Sequence, residues 1–177
     1  MPEKSALVLD EPQKARVCAR TEDFIHLAER HFRRKFAPIP IRFNLKARAA
    51  GMYCVRRDER EIRYNPFLFA RYFEDNLRVT VPHEVAHYIC DMVYGLKNIR
   101  PHGNEWKNLM GYFRADPSRT CDYDLNGIPL RKVQRYLYSC ACSTHQLSSV
   151  RHNRIQRDNT RYYCRKCHQE VVRLESK

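Results

Sequence analysis

Thr80-Val81-Pro82-His83-Glu84-Val85-Ala86-His87 is the stretch around which the rest of the chain can be organised. Within it, His83-Glu84-Val85-Ala86-His87 fits the His-Glu-x-x-His pattern: histidines four apart on a helix stand one turn apart on one face, where two imidazoles can share a zinc ion. Glu84 lies beside them. A carboxylate there is poorly placed as a third ligand but can take a proton from a water on the metal, the general-base role of a hydrolase. The surroundings read as a helix, because Leu77, Val81, Val85, Tyr88, Ile89 and Met92 recur at helical spacing and Gly95 is placed to end it. Pro82 conflicts with a helix interior, since proline lacks a donor and belongs in a first turn or at a kink, so the starting point of the helix is open.

A catalytic zinc usually has three protein ligands and one open position. His102 is the expected third ligand, fifteen residues after His87 and beside Pro101 and Gly103, in a segment suited to turning back toward the first helix. Glu105 competes with it, because a helix beginning near Gly103 could also point that carboxylate inward. Each histidine alone reads as an ordinary helix or cap residue. Three of them, with a glutamate where hydrolysis needs one, read as the site of a zinc metalloprotease.

Outward from this centre, residues 21 to 36 carry apolar side chains at 24, 25, 28 and 32, which predicts a helix capped by Thr21. Ile41 to Leu45, Ala50 to Val55 and Glu61 to Asn65 read as three short strands, and residues 103 to 115 as a second helix that ends at Asp116-Pro117-Ser118. After a linker with Gly127 and Pro129, Tyr136 to Cys142 and Tyr162 to Cys167 flank a basic stretch and read as two arms of a small β-rich metal-binding unit.

A chain of 177 residues with 43% apolar content and five glycines is long enough to bury a core and is not disordered or fibrous. Its apolar runs are too short for a spanning helix, and Met1-Pro2-Glu3-Lys4-Ser5 lacks the pattern of a signal peptide. A cytoplasmic protein without membrane association is therefore expected, nucleoid-associated, or nuclear in a eukaryote. In a reducing compartment eight cysteines point to metal ligation or buried thiols rather than disulfides. Cys18, Cys54, Cys90 and Cys121 are isolated and read as buried small hydrophobes. Cys164-Arg165-Lys166-Cys167 is a two-ligand knuckle, and Cys142-Ser143-Thr144-His145 has the same gap. The preferred structural zinc site is Cys142, His145, Cys164 and Cys167, with Cys140 the alternative to His145 and His168 an outside candidate.

The formal net charge is +13, and it is uneven: residues 128 to 177 hold 11 Lys/Arg against 3 Asp/Glu, the first 127 residues 22 against 17. Arg151, Arg154, Arg157 and Arg161, with Tyr162 and Tyr163 beside them, form a reasonable nucleic-acid surface, since guanidinium groups bridge phosphates and aromatic faces accept unstacked bases. Arg131, Lys132 and Arg135 extend it.

Thr80 to His87, followed by Pro101-His102-Gly103-Asn104-Glu105-Trp106, resembles the SprT family of metallopeptidases. Ile62-Arg63-Tyr64-Asn65-Pro66 resembles the strand ahead of that family's catalytic helix, and Cys140 to Leu147 with Arg151-His152-Asn153-Arg154 resembles its zinc-ribbon tail. The resemblance spans about residues 20 to 172. It implies His83, His87 and His102 as zinc ligands and Glu84 as catalytic base. The related eukaryotic protease Spartan degrades proteins crosslinked to DNA, so protein substrates on single-stranded or damaged DNA are implied here. The expected architecture is α+β: a zincin-like core over residues 15–126, with a small β-sheet and a catalytic helix, and a basic, β-rich zinc ribbon over 134–174. The other functional class is a non-catalytic, zinc-containing nucleic-acid-binding module.

Overall fold

The computed structural model describes residues 7–46, 48–117, 123–129 and 134–174, so Cys121, Arg131 and Lys132 lie outside the described residues. The fold is α+β, and it divides into two compact units, within residues 1–130 and within 131–177.

The first unit opens with helix α1 (Glu11–Phe32), which begins ten residues before the expected Thr21. Asp10 is its cap: the carboxylate accepts from Gln13 N while the Gln13 side chain accepts from Asp10 N, a reciprocal pair that satisfies two donors of the first turn. Thr21 instead sits inside the helix, fully buried, its hydroxyl donating to Val17 O. That helix start escapes a search for periodicity because residues 10 to 20 contribute little apolar surface. Val17, Phe24, Ile25 and Ala28 form its buried face.

A three-stranded sheet follows, made of β1 (Ile41–Arg42), β2 (Gly51–Arg56) and β3 (Glu59–Tyr64) in the order β1-β3-β2. β3 pairs parallel with β1 and antiparallel with β2, so β2 is an edge strand. Cys54, opposite Glu61 in that register, is half-buried like Cys18; of the three described isolated cysteines only Cys90 is fully buried.

Asn65 caps the short helix α2 (Pro66–Arg71), its side-chain oxygen accepting from Phe67 N and Leu68 N. After α3 (Phe73–Arg78), buried Asn76 donates to Leu68 O and Tyr72 O and accepts from the Thr80 hydroxyl, tying both short helices to the start of α4 (Thr80–Tyr94). The α4 boundary resolves the proline conflict: Pro82 falls in the first turn, where a missing N–H costs no helical bond. Val81, Val85, Ala86 and Ile89 are fully buried; burial of each Val or Ile stabilises by roughly 1.5–3 kcal/mol. This anchors the helix so that its other face opens on a cleft. α5 (Asn104–Tyr112) packs against α4 through Trp106, Leu109 and Met110.

The second unit has a sheet in the order β5-β4-β6, from β4 (Arg135–Ser139), β5 (Thr144–Ser148) and β6 (Val172–Arg173). The basic stretch between the cysteine pairs is not a loop: residues 149–158 form helix α6 (Ser149–Asp158). It is held by His152, whose ring stacks on Tyr136 at 3.6 Å and whose Nδ1 is 2.9 Å from the Tyr138 hydroxyl. Polar aromatics stand where a helix-period reading looks for aliphatic side chains. No helix among the described residues is long and apolar enough to cross a membrane.

Candidate active site and metal centres

α4 presents His83 and His87 one turn apart, and the loop after it returns His102 to them. The three Nε2 atoms lie 3.0, 3.1 and 3.2 Å from one another. Tetrahedral coordination with arms of about 2.0–2.1 Å has an edge of roughly 3.3 Å, so the donor triangle fits a small divalent ion such as zinc. Burial and the neighbouring His102 push the His83 pKa down to about 4. Burial with His83 and His102 pushes His87 down to about 3. Both imidazoles are thus neutral near pH 7, the form that binds metal. Glu105, the competing third ligand, lies outside the group of convergent donors.

His102 reaches the site in a left-handed backbone conformation, φ 56°, within the turn that follows Pro101. Gly103 continues that turn, and a Cβ there would stand 2.9 Å from Arg100 O, so glycine is required by close backbone approach. The buried indole of Trp106, four residues on, forms a floor to the site, its ring centroid 4.8, 5.6 and 4.7 Å from those of His83, His87 and His102.

Glu84 is buried between α4 and the edge strand. Its Oε2 accepts from Tyr53 N at 2.7 Å. Burial raises its pKa to about 8, opposed by that hydrogen bond. A Cβ on Gly51 would lie 2.7 Å from Glu84 Cγ and 2.8 Å from Oε1, so β2 approaches the carboxylate as closely as only glycine permits. Tyr53 is fixed from its other end: its hydroxyl donates to Asp91 at 2.6 Å, and Arg60 Nε donates to the same oxygen at 2.8 Å. Burial raises the Asp91 pKa, but the bonds from Tyr53 and Arg60 outweigh it and hold the carboxyl below its usual value. β2 is thereby clamped to α4 at both the glutamate and Asp91. A cleft of about 320 Å³ between them is lined by Gly51, Met52, Tyr53, Val55, Leu96, the three histidines and Glu84.

The second unit brings Cys140, Cys142, Cys164 and Cys167 together, with their sulfurs within 4.8 Å of one another. The Cys140–Cys142 and Cys142–Cys164 separations, 3.6 and 3.7 Å, are close to the roughly 3.8 Å edge of a tetrahedron with arms of about 2.3 Å, so the cluster fits a structural zinc of ribbon type. Ser143 lowers the Cys142 pKa, but hydrogen bonds with the sulfurs of Cys167, Cys140 and Cys164 outweigh it, with burial adding to them, and push the thiol up to about 11. The arrangement differs from the preferred reading of Cys142 with His145. The turn between β4 and β5 folds Cys140 inward, its N–H donating to Ser143 O, while His145 pairs with Tyr138 along the strand. His145 Nε2 lies 3.1 Å from Cys140 Sγ and lowers that thiol to about 5, supporting its thiolate from outside the group of four. His168, in a left-handed conformation after the knuckle, is also outside it.

Among the expected nucleic-acid contacts, Arg151, Arg154 and Arg157 are exposed along α6 and Arg161 follows it. The Arg151 guanidinium lies 5.7 Å over the Tyr162 ring, Arg161 is 3.8 Å from Glu170, and Tyr163 is 58% exposed. Gly51, Tyr53 and Asp91 escaped the sequence reading, and Trp106 entered it only within the segment that carries the resemblance, without a role. A lone glycine in a strand was the one available signal of close approach.

Comparison with known proteins adds an independent line. A family model described as the SprT-like family matches residues 21–122, which include His83, Glu84, His87 and His102. The chain is similar to Protein SprT of Shewanella oneidensis, 34% identical over 157 residues, or 88% of this chain and 96% of the relative. Proteins of the same name from Vibrio parahaemolyticus and Pseudomonas fluorescens are 39% and 38% identical, covering 84% and 86% of this chain and 87% and 91% of their own. No solved structure matches the chain.

Proposed function

Because this chain belongs to the SprT-like family, we propose that it is a zinc metallopeptidase that hydrolyses peptide bonds of DNA-associated or DNA-crosslinked proteins. The observation that carries the reading is the convergence of three imidazole nitrogens beside a buried carboxylate in a cleft walled by an edge strand. Zinc held by His83, His87 and His102 would supply Lewis acidity toward a scissile carbonyl and a positive charge that favours ionised Glu84. Glu84 takes a proton from the attacking water and returns it to the leaving amine. With Oε2 occupied by Tyr53 N–H, Oε1 is the oxygen left to carry that proton, and a pKa raised toward neutrality suits both directions of transfer.

The edge strand is the candidate peptide-binding element. Ala50 O accepts from Asn65 N toward β3, whereas Tyr53 N points to Glu84, so strand alternation turns the backbone of Gly51 and Val55 to the same free edge. An extended substrate would pair there. Val55→Pro removes an edge donor without breaking the ladder to β3, and its expected effect is weaker peptide binding. Unchanged cleavage would exclude this mode.

The DNA part of the reading is supported by the exposed arginines of α6 with Arg161, Tyr162 and Tyr163. Cysteines gathered as a metal-ligand set suit a reducing compartment, the cytoplasm beside the nucleoid or a nucleus. Elemental analysis of wild type, His87→Ala and Cys164→Ser/Cys167→Ser tests both centres without a known substrate. The expected result is one zinc lost in each variant. Zinc unaffected by His87→Ala would overturn the catalytic assignment. Glu84→Gln should abolish cleavage of a DNA-bound protein while sparing DNA binding; loss of neither activity would favour the binding module.

A further inference from the structure

The charge balance of the first 127 residues hides a local excess. Arg30-His31-Phe32-Arg33-Arg34-Lys35 places four of the unit's basic side chains at the end of α1. His26 and Arg30 lie one turn apart on one face of α1, opposite the buried Phe24, Ile25 and Ala28, and Arg33 and Arg34 follow at and beyond its C-terminal cap. With Glu29 and Lys35 they line a cleft of about 440 Å³ to which, among the described residues, no apolar residue contributes.

The one acid in this cleft is already neutralised. Glu29 accepts from Lys35 Nζ at 2.7 Å and from Phe36 N at 3.1 Å. Among the described residues, Arg30, Arg33 and Arg34 form no ion pair with a carboxylate, and all three are exposed. Arg34 is held flat, its guanidinium 5.0 Å over the Phe36 ring. Cations near a helix C-terminus favour the helix dipole, but that effect fades beyond the last turn. Arg33 adopts the left-handed cap and Arg34 lies past it, so the dipole does not account for them.

We propose that the cationic cleft at the end of α1, formed by His26, Arg30, Arg33 and Arg34, binds successive phosphates of a nucleic-acid strand. Guanidinium groups recognise phosphate oxygens bidentately, and several in a row match a polyanion with regularly spaced charges. An anionic membrane surface calls for apolar anchors beside the charges, and among the described residues none lines this cleft; the carboxylates of an acidic peptide lack the regular spacing of successive phosphates. The site belongs to the first unit, whereas Arg151, Arg154 and Arg157 belong to the second, and it does not depend on the proteolytic reading; it gives the first unit its own hold on the nucleic acid.

The test uses the full chain and a fluorescent single-stranded oligonucleotide, with the dissociation constant measured by anisotropy across a salt series. Arg30→Gln/Arg33→Asn/Arg34→Gln removes three charges, asparagine being chosen for the left-handed position. At about 0.7 units of log–log salt slope per phosphate contact, the variant should flatten the dependence by about 2 and weaken low-salt binding at least about tenfold. Replacing all three by lysine should restore the slope, which separates lost charge from lost folding. A slope unchanged in the glutamine/asparagine variant overturns the proposal; if Arg151→Gln/Arg154→Gln/Arg157→Gln abolishes binding meanwhile, the DNA reading of the second unit stands alone. Absence of binding by wild type overturns both and leaves peptide hydrolysis untouched. Polyglutamate binding as tightly, with the same dependence on the three arginines, would overturn the assignment to nucleic acid.

Discussion

Gly51→Ala adds one methyl group at the place where the edge strand meets Glu84, the proposed general base. The new Cβ would stand 2.7 Å from Glu84 Cγ, 2.7 Å from Thr80 Cγ2 and 2.8 Å from Glu84 Oε1, against the 3.4 Å at which ordinary contact begins. About 0.7 Å must be found, and neither partner yields it freely: Thr80 is tied to Asn76, and Glu84 to Tyr53 N. Overpacking of this kind costs about 1–3 kcal/mol, or about 2–4 °C of melting temperature per kcal/mol in a chain of this length. A displaced general base also slows turnover, on the order of ten- to a hundredfold in kcat. The three histidines are not touched, so zinc content should stay at the wild-type level while turnover falls. Cleavage of a protein substrate, a thermal melt and elemental analysis on the same preparation are the assay. Gly111→Ala is the control, with nothing within 4 Å of the added methyl on α5 and an expected gain of about 0.5–1 kcal/mol. Wild-type turnover with a wild-type melting temperature in Gly51→Ala would refute the placement of Glu84 against β2.

In the second unit, Cys140→Ser should release the proposed structural zinc while His145→Ala retains it with weaker affinity, which elemental analysis before and after mild chelation distinguishes; the opposite order would restore His145 as a ligand. Trp106 is the chain's single tryptophan and lies against all three imidazoles, so cobalt or copper added to the chelated protein should quench its fluorescence with single-site saturation, and His87→Ala should abolish the effect. In the chelated protein, His83 and His87 fold with pKa values of about 4 and 3, below the 6.5 of the free side chain, so the unfolded chain binds more protons and acid destabilises the fold below pH 6.5. Glu84 is raised from 4.5 to about 8, so its stabilising contribution declines as pH rises through that interval. Of these three groups, the two histidines outweigh the glutamate below pH 6.5 and the glutamate alone acts above it, so their joint contribution is greatest near pH 6.5. The urea midpoint of wild type relative to that of Glu84→Gln should therefore fall from pH 6.5 toward pH 8, and parallel profiles would contradict the burial argument.

Whatever depends on residues within one helical turn or one knuckle was legible in the amino-acid order. His83, Glu84 and His87 are neighbours because 3.6 residues make a turn, and Cys164 and Cys167 face one point because a two-residue gap closes a tight loop. The β2 and β3 strands were legible from short apolar-polar runs. Choices between partners distant along the chain were not. His102 was already the expected third ligand, but what brings it to the donor triangle and leaves Glu105 outside, a left-handed turn beside Pro101 and Gly103, was not legible. Cys140 completes the sulfur cluster instead of His145 because the β4–β5 turn folds one inward and leaves the other on the strand. The start of α1 depended on a polar cap, and α6 on a histidine stacked against a tyrosine, neither of which leaves an aliphatic period. The approach of Gly51 to Glu84, with Arg60 and Tyr53 converging on Asp91, joins segments some thirty residues apart. Local order decides which groups share a helix face or a tight loop, whereas packing of the core decides which distant segment comes to meet them.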